Sequence, residues 1–167
     1  MSREVVNEDM DRVQGLMVYL GSIAHGLEMI LGRGSGSVAT RAGKKVGTEW
    51  KVSRKAPGDL NESLAIVQEE MRNMGINWPF APYKRSTEES LTSVTKTGET
   101  EVKIVTQNCM VRCTLLRYGF PQKGSLCLTK HALFCGLFDQ AYGCRSRMGI
   151  THAGENGCLL NLYIQEK

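Results

Sequence analysis

Residues 129–164, TKHALFCGLFDQAYGCRSRMGITHAGENGCLLNLYI, change hydrophobic period at Gly143, from helical steps to strand-like runs. Before the change, Leu133, Leu137 and Ala141 recur at four-residue steps beside Ala132, Thr129 stands where a helix cap belongs, and Gly143 supplies the stop. After it, Met148 to His152 and Leu159 to Ile164 read as two strands joined around Gly154, Glu155, Asn156 and Gly157. A long helix running into an antiparallel pair points to α+β architecture, because parallel sheets need strands separated by crossover helices.

Working upstream, Asn108 is placed to cap a short helix through Met110, Leu115 and Leu116 that ends near Gly119 and Pro121. Strands are expected on both sides of a turn at Gly98, the second over Glu101 to Gln107 with Val102 and Ile104 on one face and Val105 on the other. Pro79 and Pro82 exclude a helix there. The first half reads as helical. Met10, Val13, Leu16, Met17, Leu20, Ile23, Ala24, Leu27 and Leu31 form one amphipathic stripe, capped by Asn7 or Asp9 and ended by Gly32, Gly34 and Gly36. A basic helix follows over Val38 to Val52, and a third, with Leu60, Leu64, Val67, Met71 and Met74, is capped by Asp59 or Asn61 and stopped at Gly75. The expectation is one α+β domain over 1–167, helical over 9–75 and strand- and cysteine-rich over 76–167, with an antiparallel sheet packed against helices.

Composition narrows the function classes. The chain has 41% hydrophobic and 23% charged residues and 4 prolines, the balance of a globular domain able to fold without disulfide or metal. Its start carries alternating charges and no secretory pattern, and no stretch reaches the roughly 18 uninterrupted apolar residues of a membrane span. These point to a cytoplasmic protein whose six cysteines are reduced. The net charge of +4 concentrates in Arg41, Lys44, Lys45, Lys51, Arg54 and Lys55. That segment reads as a solvated face: Trp50 is its one stacking aromatic, so nucleic-acid binding is not expected. The apolar breadth of the first helix predicts a homodimer.

Phosphate-loop motifs fail. Val38 stands where a Walker loop would need glycine before Gly43-Lys44, Lys45 replaces the magnesium-binding hydroxyl, and no strand precedes Gly32 for a dinucleotide loop. The cysteines carry more. Cys127, His131, Cys135 and Asp139 fall at four-residue intervals, placing thiol, imidazole and carboxylate along one helical stripe, the reagents of nucleophilic catalysis. Imidazole beside thiol raises the thiolate population, and a carboxylate can orient a base or hold a substrate cation. The competing reading makes Cys135 a small buried hydrophobe. Cys109 and Cys113 form a second four-residue pair, a metal candidate without the C-x-x-C knuckle of common zinc modules. Cys144 and Cys158 are each able to meet Cys135 in space.

The run from Cys135 through Asp139 to Gly143, with Thr151-His152-Ala153-Gly154-Glu155-Asn156-Gly157-Cys158 and a closing apolar strand, resembles the end of L-2-amino-thiazoline-4-carboxylate hydrolase-like proteins, with their Cys-x-x-x-Asp and Gly-x-x-x-Cys signatures. The wider chain, with Arg41-x-Gly43-x-x-x-Gly47, a helix ending near Gly75 and a strand leading into Cys109, is similar to the 4-vinyl reductase-like domain, in a fold group of small ligand-binding modules related to nitric-oxide sensors. The Glu-x-x-Cys of the latter is missing at Arg147-Met148-Gly149-Ile150, which favours the hydrolase-like branch. That resemblance implies a thiol-dependent hydrolase opening a carbon–nitrogen bond in a small cyclic amidine, amide or thiazoline. Cys135 would attack or polarise the ring carbon, His131 or His152 would move protons, and Asp139 would hold a cationic nitrogen. Arg145, Arg147 and Cys158 would line the substrate site, the arginines binding a carboxylate. The alternative is a non-catalytic sensor or carrier for a small apolar ligand, a tetrapyrrole or zinc, with Met10, Met17, Met29, Met71, Met74 and Met110 as an adaptable lining. No cofactor is required by the first reading; zinc is the second choice.

Overall fold

A computed structural model describes the backbone of residues 3–166 and the side chains of residues 13–166. Helix α1 (Arg3–Leu31) passes through a single 3-10 turn (Gly32–Gly34) into α2 (Ser35–Glu49), and α3 (Leu60–Asn73) follows. Strands β1 (Phe80–Pro82), β2 (Thr92–Val94) and β3 (Thr100–Thr106) precede α4 (Met110–Arg117) and α5 (Ser125–Tyr142), and the hairpin β4 (Arg145–Ala153) and β5 (Cys158–Gln165) closes the domain. The sheet is antiparallel in the order β1-β3-β5-β4, with β2 pairing the first half of β3 and β1 its second half. The expected α+β architecture is therefore the observed one.

Alternation explains the packing. Val102, Ile104 and Thr106 of β3 and Leu160, Leu162 and Ile164 of β5 are buried on the sheet's inner face, against α5. The other side of α5 meets α2, so Phe134, Leu137 and Phe138 have no exposure at all. Glycines permit the close α2–α5 contact: a Cβ on Gly136 would stand 2.7 Å from the carbonyl carbon of Gly47, and Cβ atoms on Gly43 and Gly47 would collide with the carbonyl oxygens of Thr129 and Leu133.

Several helix ends follow the sequence. Asp59 Oδ1 accepts the Glu62 N–H at 3.0 Å, and Gly75 and Gly143 adopt left-handed φ of 78° and 87°. Others need correction. Helix α5 starts at Ser125 with Gly124 as its cap; Thr129 lies inside, its hydroxyl bonded to the Ser125 carbonyl at 2.8 Å. Cys109 caps α4, while Asn108 takes φ 49° just before it. Asn7 and Asp9 fall within α1, and their side chains, like that of Met10, lie outside the described residues. Helix α1 ends at Leu31 as expected, on Gly32 with φ 53°, but α2 resumes at Ser35, whose Oγ donates to the Gly32 carbonyl, so Gly36 lies inside the second helix. The basic segment is paired within the chain, through Lys45–Glu49, Arg54–Glu62 and Arg54–Glu69. Trp50 Nε1 donates to buried Glu70 at 2.9 Å, as does the Ser53 N–H at 2.6 Å; burial opposes the Glu70 charge, but these bonds hold its pKa below the ordinary value.

One helical run bears on the expectation that no segment spans a membrane. The helical run Val13–Glu49 holds an 18-residue window of mean hydropathy 1.3, only 6% buried, enough to cross a bilayer by length and composition. Counting uninterrupted apolar residues hid it, because Gly15, Gly21, Ser22, His25 and Gly26 dilute the run while Glu28 is its one Asp, Glu, Lys or Arg before Arg33. Buried core helices and signal sequences pass the same test.

Candidate functional site

Cys127, His131, Cys135 and Asp139 do not all face one way, because each four-residue step on a helix also rotates by about 40° and three steps turn through about 120°. They reach two separate polar clusters, one on each flank of α5.

The first cluster joins α5 to α2 and β4. Lys44 Nζ pairs with Asp139 Oδ2 at 2.7 Å and donates to the Ser146 carbonyl at 3.0 Å, and Ser146 Oγ donates to Asp139 Oδ1 at 2.6 Å. Cys135 belongs here: burial pushes its thiol up to about 12, Asp139 adds to the shift, and Lys44 and Ser146 oppose it. Cys144 is raised to about 12 as well, by burial and then by Asp139. The structure thus brings Cys135 and Asp139 together but with Lys44 and Ser146, neither of which sequence reasoning assigned. A thiol held protonated at neutral pH is a poor nucleophile.

The second cluster lies toward β1. His131 packs against Trp78, ring centroids 5.4 Å apart, and Trp78 also meets Phe80 at 5.4 Å and Phe134 at 5.8 Å. Lys130 Nζ sits 3.8 Å from the Trp78 ring centroid and donates to Cys109 Sγ at 2.8 Å. Both Lys130 and His131 are buried. Burial, then Lys130, drives the His131 pKa well below its ordinary value, so this imidazole is neutral. Burial raises the thiols of Cys127 and Cys158, each of which feels Lys130 and Cys109 electrostatically. Two nitrogens here, Trp78 Nε1 and His131 Nδ1, are buried without a hydrogen-bond partner. Sequence reasoning missed Trp78 and Lys130; the available signal was a tryptophan beside Pro79 in the apolar-rich run from Ile76 to Tyr83.

The remaining candidates disperse. His152 is exposed near the β4–β5 turn, where with Gln107, Glu155 and Cys158 it lines an open cavity of about 330 Å³. Buried Arg112 braces that turn by donating to the carbonyls of Gly154, at 2.9 Å, and Glu155. Arg145 is exposed at the start of β4. Arg147 spends its fork on Glu99, at 3.1 and 2.8 Å, and lies 3.9 Å from the Tyr163 ring centroid, so it does not offer the open carboxylate site expected of it. Cys109 is buried on Lys130 while Cys113 is exposed, so the pair does not point into one metal site. Among the described residues no three His, Cys, Asp or Glu side chains are placed to hold a metal ion.

Thiol accessibility follows from these positions. Alkylation of the native protein at pH 8 is expected to modify Cys113 first, with Cys135 and Cys144 labelled only on unfolding, as read by peptide mass spectrometry. Rapid native labelling of Cys135 would restore it as a nucleophile candidate.

No protein-family model matches the chain, and no curated protein does. A solved structure does match: the phenol-responsive sensory domain of the transcription activator PoxR, crystallised with phenol, superposes with a TM-score of 0.58 at 11% identity, covering 89% of this chain and 74% of that one. At this identity the shared property is the fold.

Proposed function

We propose that this chain is a non-catalytic small-molecule-binding domain of sensor or carrier type, and that its ligand is a small planar aromatic compound bearing a hydroxyl group. The observation that carries the reading is the pair of unpartnered nitrogens, Trp78 Nε1 and His131 Nδ1, on buried rings 5.4 Å apart. Leaving a buried polar atom unpaired costs about 1–3 kcal/mol, and a hydroxyl accepting from Trp78 and donating to His131 would recover that. Phe80 and Phe134 supply ring faces and edges for an aromatic guest, and the neighbouring Lys130 cation favours a polarised or ionised phenolic oxygen. β1 is a three-residue edge strand next to Trp78, and its displacement would open a route of entry. That the similar fold of PoxR was crystallised with phenol supports the same ligand class. The thiol-dependent hydrolase is the weaker reading: its thiol is buried with a pKa of about 12, and both imidazoles stand apart from the Cys135–Asp139 pair.

The test is calorimetric titration of the full chain with phenol and substituted phenols, beside thermal melts. Saturable binding is expected with a raised Tm, and Trp78→Phe and His131→Phe are each expected to weaken it tenfold or more. Absence of saturable binding up to millimolar phenols, with the chain folded, overturns the proposal.

A further inference from the structure

Among the described residues, one face of α1 has no partner. Val13, Leu16, Leu20, Ile23, Leu27 and Ile30 follow each other at alternating three- and four-residue steps, and all six are 40 to 80% exposed. This is the 3.5-residue repeat with which one helix packs on another, filling the a and d positions of successive heptads. The opposite side of α1 is already committed: Gly21 lies under the ring of Phe120, Ala24 is buried, and the Glu28 carboxylate accepts the Ser125 N–H at the start of α5. Beside the seam, Leu20, Ile23 and Leu27 continue into a groove of about 240 Å³ completed by Val38 of α2 and Leu126 of α5.

We infer that this seam docks on the same seam of a second copy of the chain, making α1 the dimerisation helix. Three observations favour that occupant. The six residues with exposed Leu31 and Val38 present on the order of 800 Å² of open surface, the share of one partner in a standard interface. Between Val13 and Leu31 the acidic and basic residues are His25 and Glu28, and both are turned to their own chain, His25 against Phe120 and Glu28 to the Ser125 N–H, so two identical faces meet without like-charge repulsion, as a two-fold interface requires. The strict 3.5 period selects a helical partner; a bilayer would accept any apolar face, and a spanning arrangement would strip α1 from Phe120 and Ser125.

Sedimentation velocity on the full chain at low micromolar concentration is expected to give twice the 18.5 kDa chain mass. Leu20→Glu with Ile23→Glu is expected to give a monomer with an unchanged circular dichroism spectrum. Should that variant fail to fold, the milder Leu16→Ser with Ile30→Ser is expected to raise the dimer dissociation constant tenfold or more. A monomeric parent chain overturns the inference, as does a dimer whose dissociation constant neither pair of substitutions alters. So does a chain that is monomeric in solution and sediments with phosphatidylcholine–phosphatidylglycerol vesicles, which would make the seam a membrane surface.

Discussion

Gly47→Leu is expected to leave the chain without a cooperative unfolding transition, the largest stability effect of any single substitution proposed for it. A Cβ alone would meet the carbonyl oxygen of Leu133, and the α-carbon of Gly136 stands 3.0 Å away. Neither is the end of a flexible side chain, so relief requires α2 and α5 to separate. That separation would open the faces that bury Phe134, Leu137 and Phe138. Overpacking of a core by a methylene or two typically costs about 1–3 kcal/mol, and a clash of backbone with backbone along the main helix contact belongs above about 4 kcal/mol, a large part of a domain's total stability. Circular dichroism melts check this. Gly15→Ala is the control: nothing lies within 4 Å of its Cβ position, so the better helix former should raise stability by up to about 1 kcal/mol. A Gly47→Leu variant that melts like the parent would mean that the two helices are not in backbone contact.

How much of this was legible in the sequence depends on how far apart the cooperating residues lie. The hairpin after Gly143, the alternation of Val102 and Ile104, and the Asp59 cap are local patterns, and each appears where the chain places it. Gly43 and Gly47 were legible as a spaced pair in a helix, but that they receive the α5 backbone depends on residues more than eighty positions downstream. Of the glycines at 32, 34 and 36, Gly32 ends α1 with a left-handed φ, while α2 begins at Ser35 and takes Gly36 into its first turn. The candidate site was half legible. The spacing of Cys135 and Asp139 put them in one cluster, and the same spacing was misleading for His131, since helical drift carries it to Trp78. Lys44 was one of six basic residues in a run and nothing local marked it as the partner of Asp139.

The second large effect is expected from Lys130→Met, and it separates stability from binding. Lys130 is a buried cation whose contacts are a thiol and an indole face, with no carboxylate within 4.0 Å among the described residues. Removing an ammonium from water costs several kcal/mol, which a cation–π contact of roughly 2 kcal/mol and one sulfur acceptor offset only in part. Methionine has similar length, no charge, and a sulfur suited to an aromatic neighbour. The substitution should therefore raise stability by about 1–2 kcal/mol, a Tm increase of roughly 2–8 °C for a chain of this size. Under the proposed function it should also weaken phenol binding tenfold or more, because the cation that favours the ligand oxygen is gone. Such a pairing, more stable and less able to bind, is the pattern of a residue kept at a cost to the fold for the sake of a ligand. Melts and calorimetry on one variant read both effects. A loss of more than about 2 kcal/mol would instead make Lys130 a structural tie between α5 and the Cys109 cap of α4. Unchanged phenol affinity would move the ligand away from Trp78 and His131.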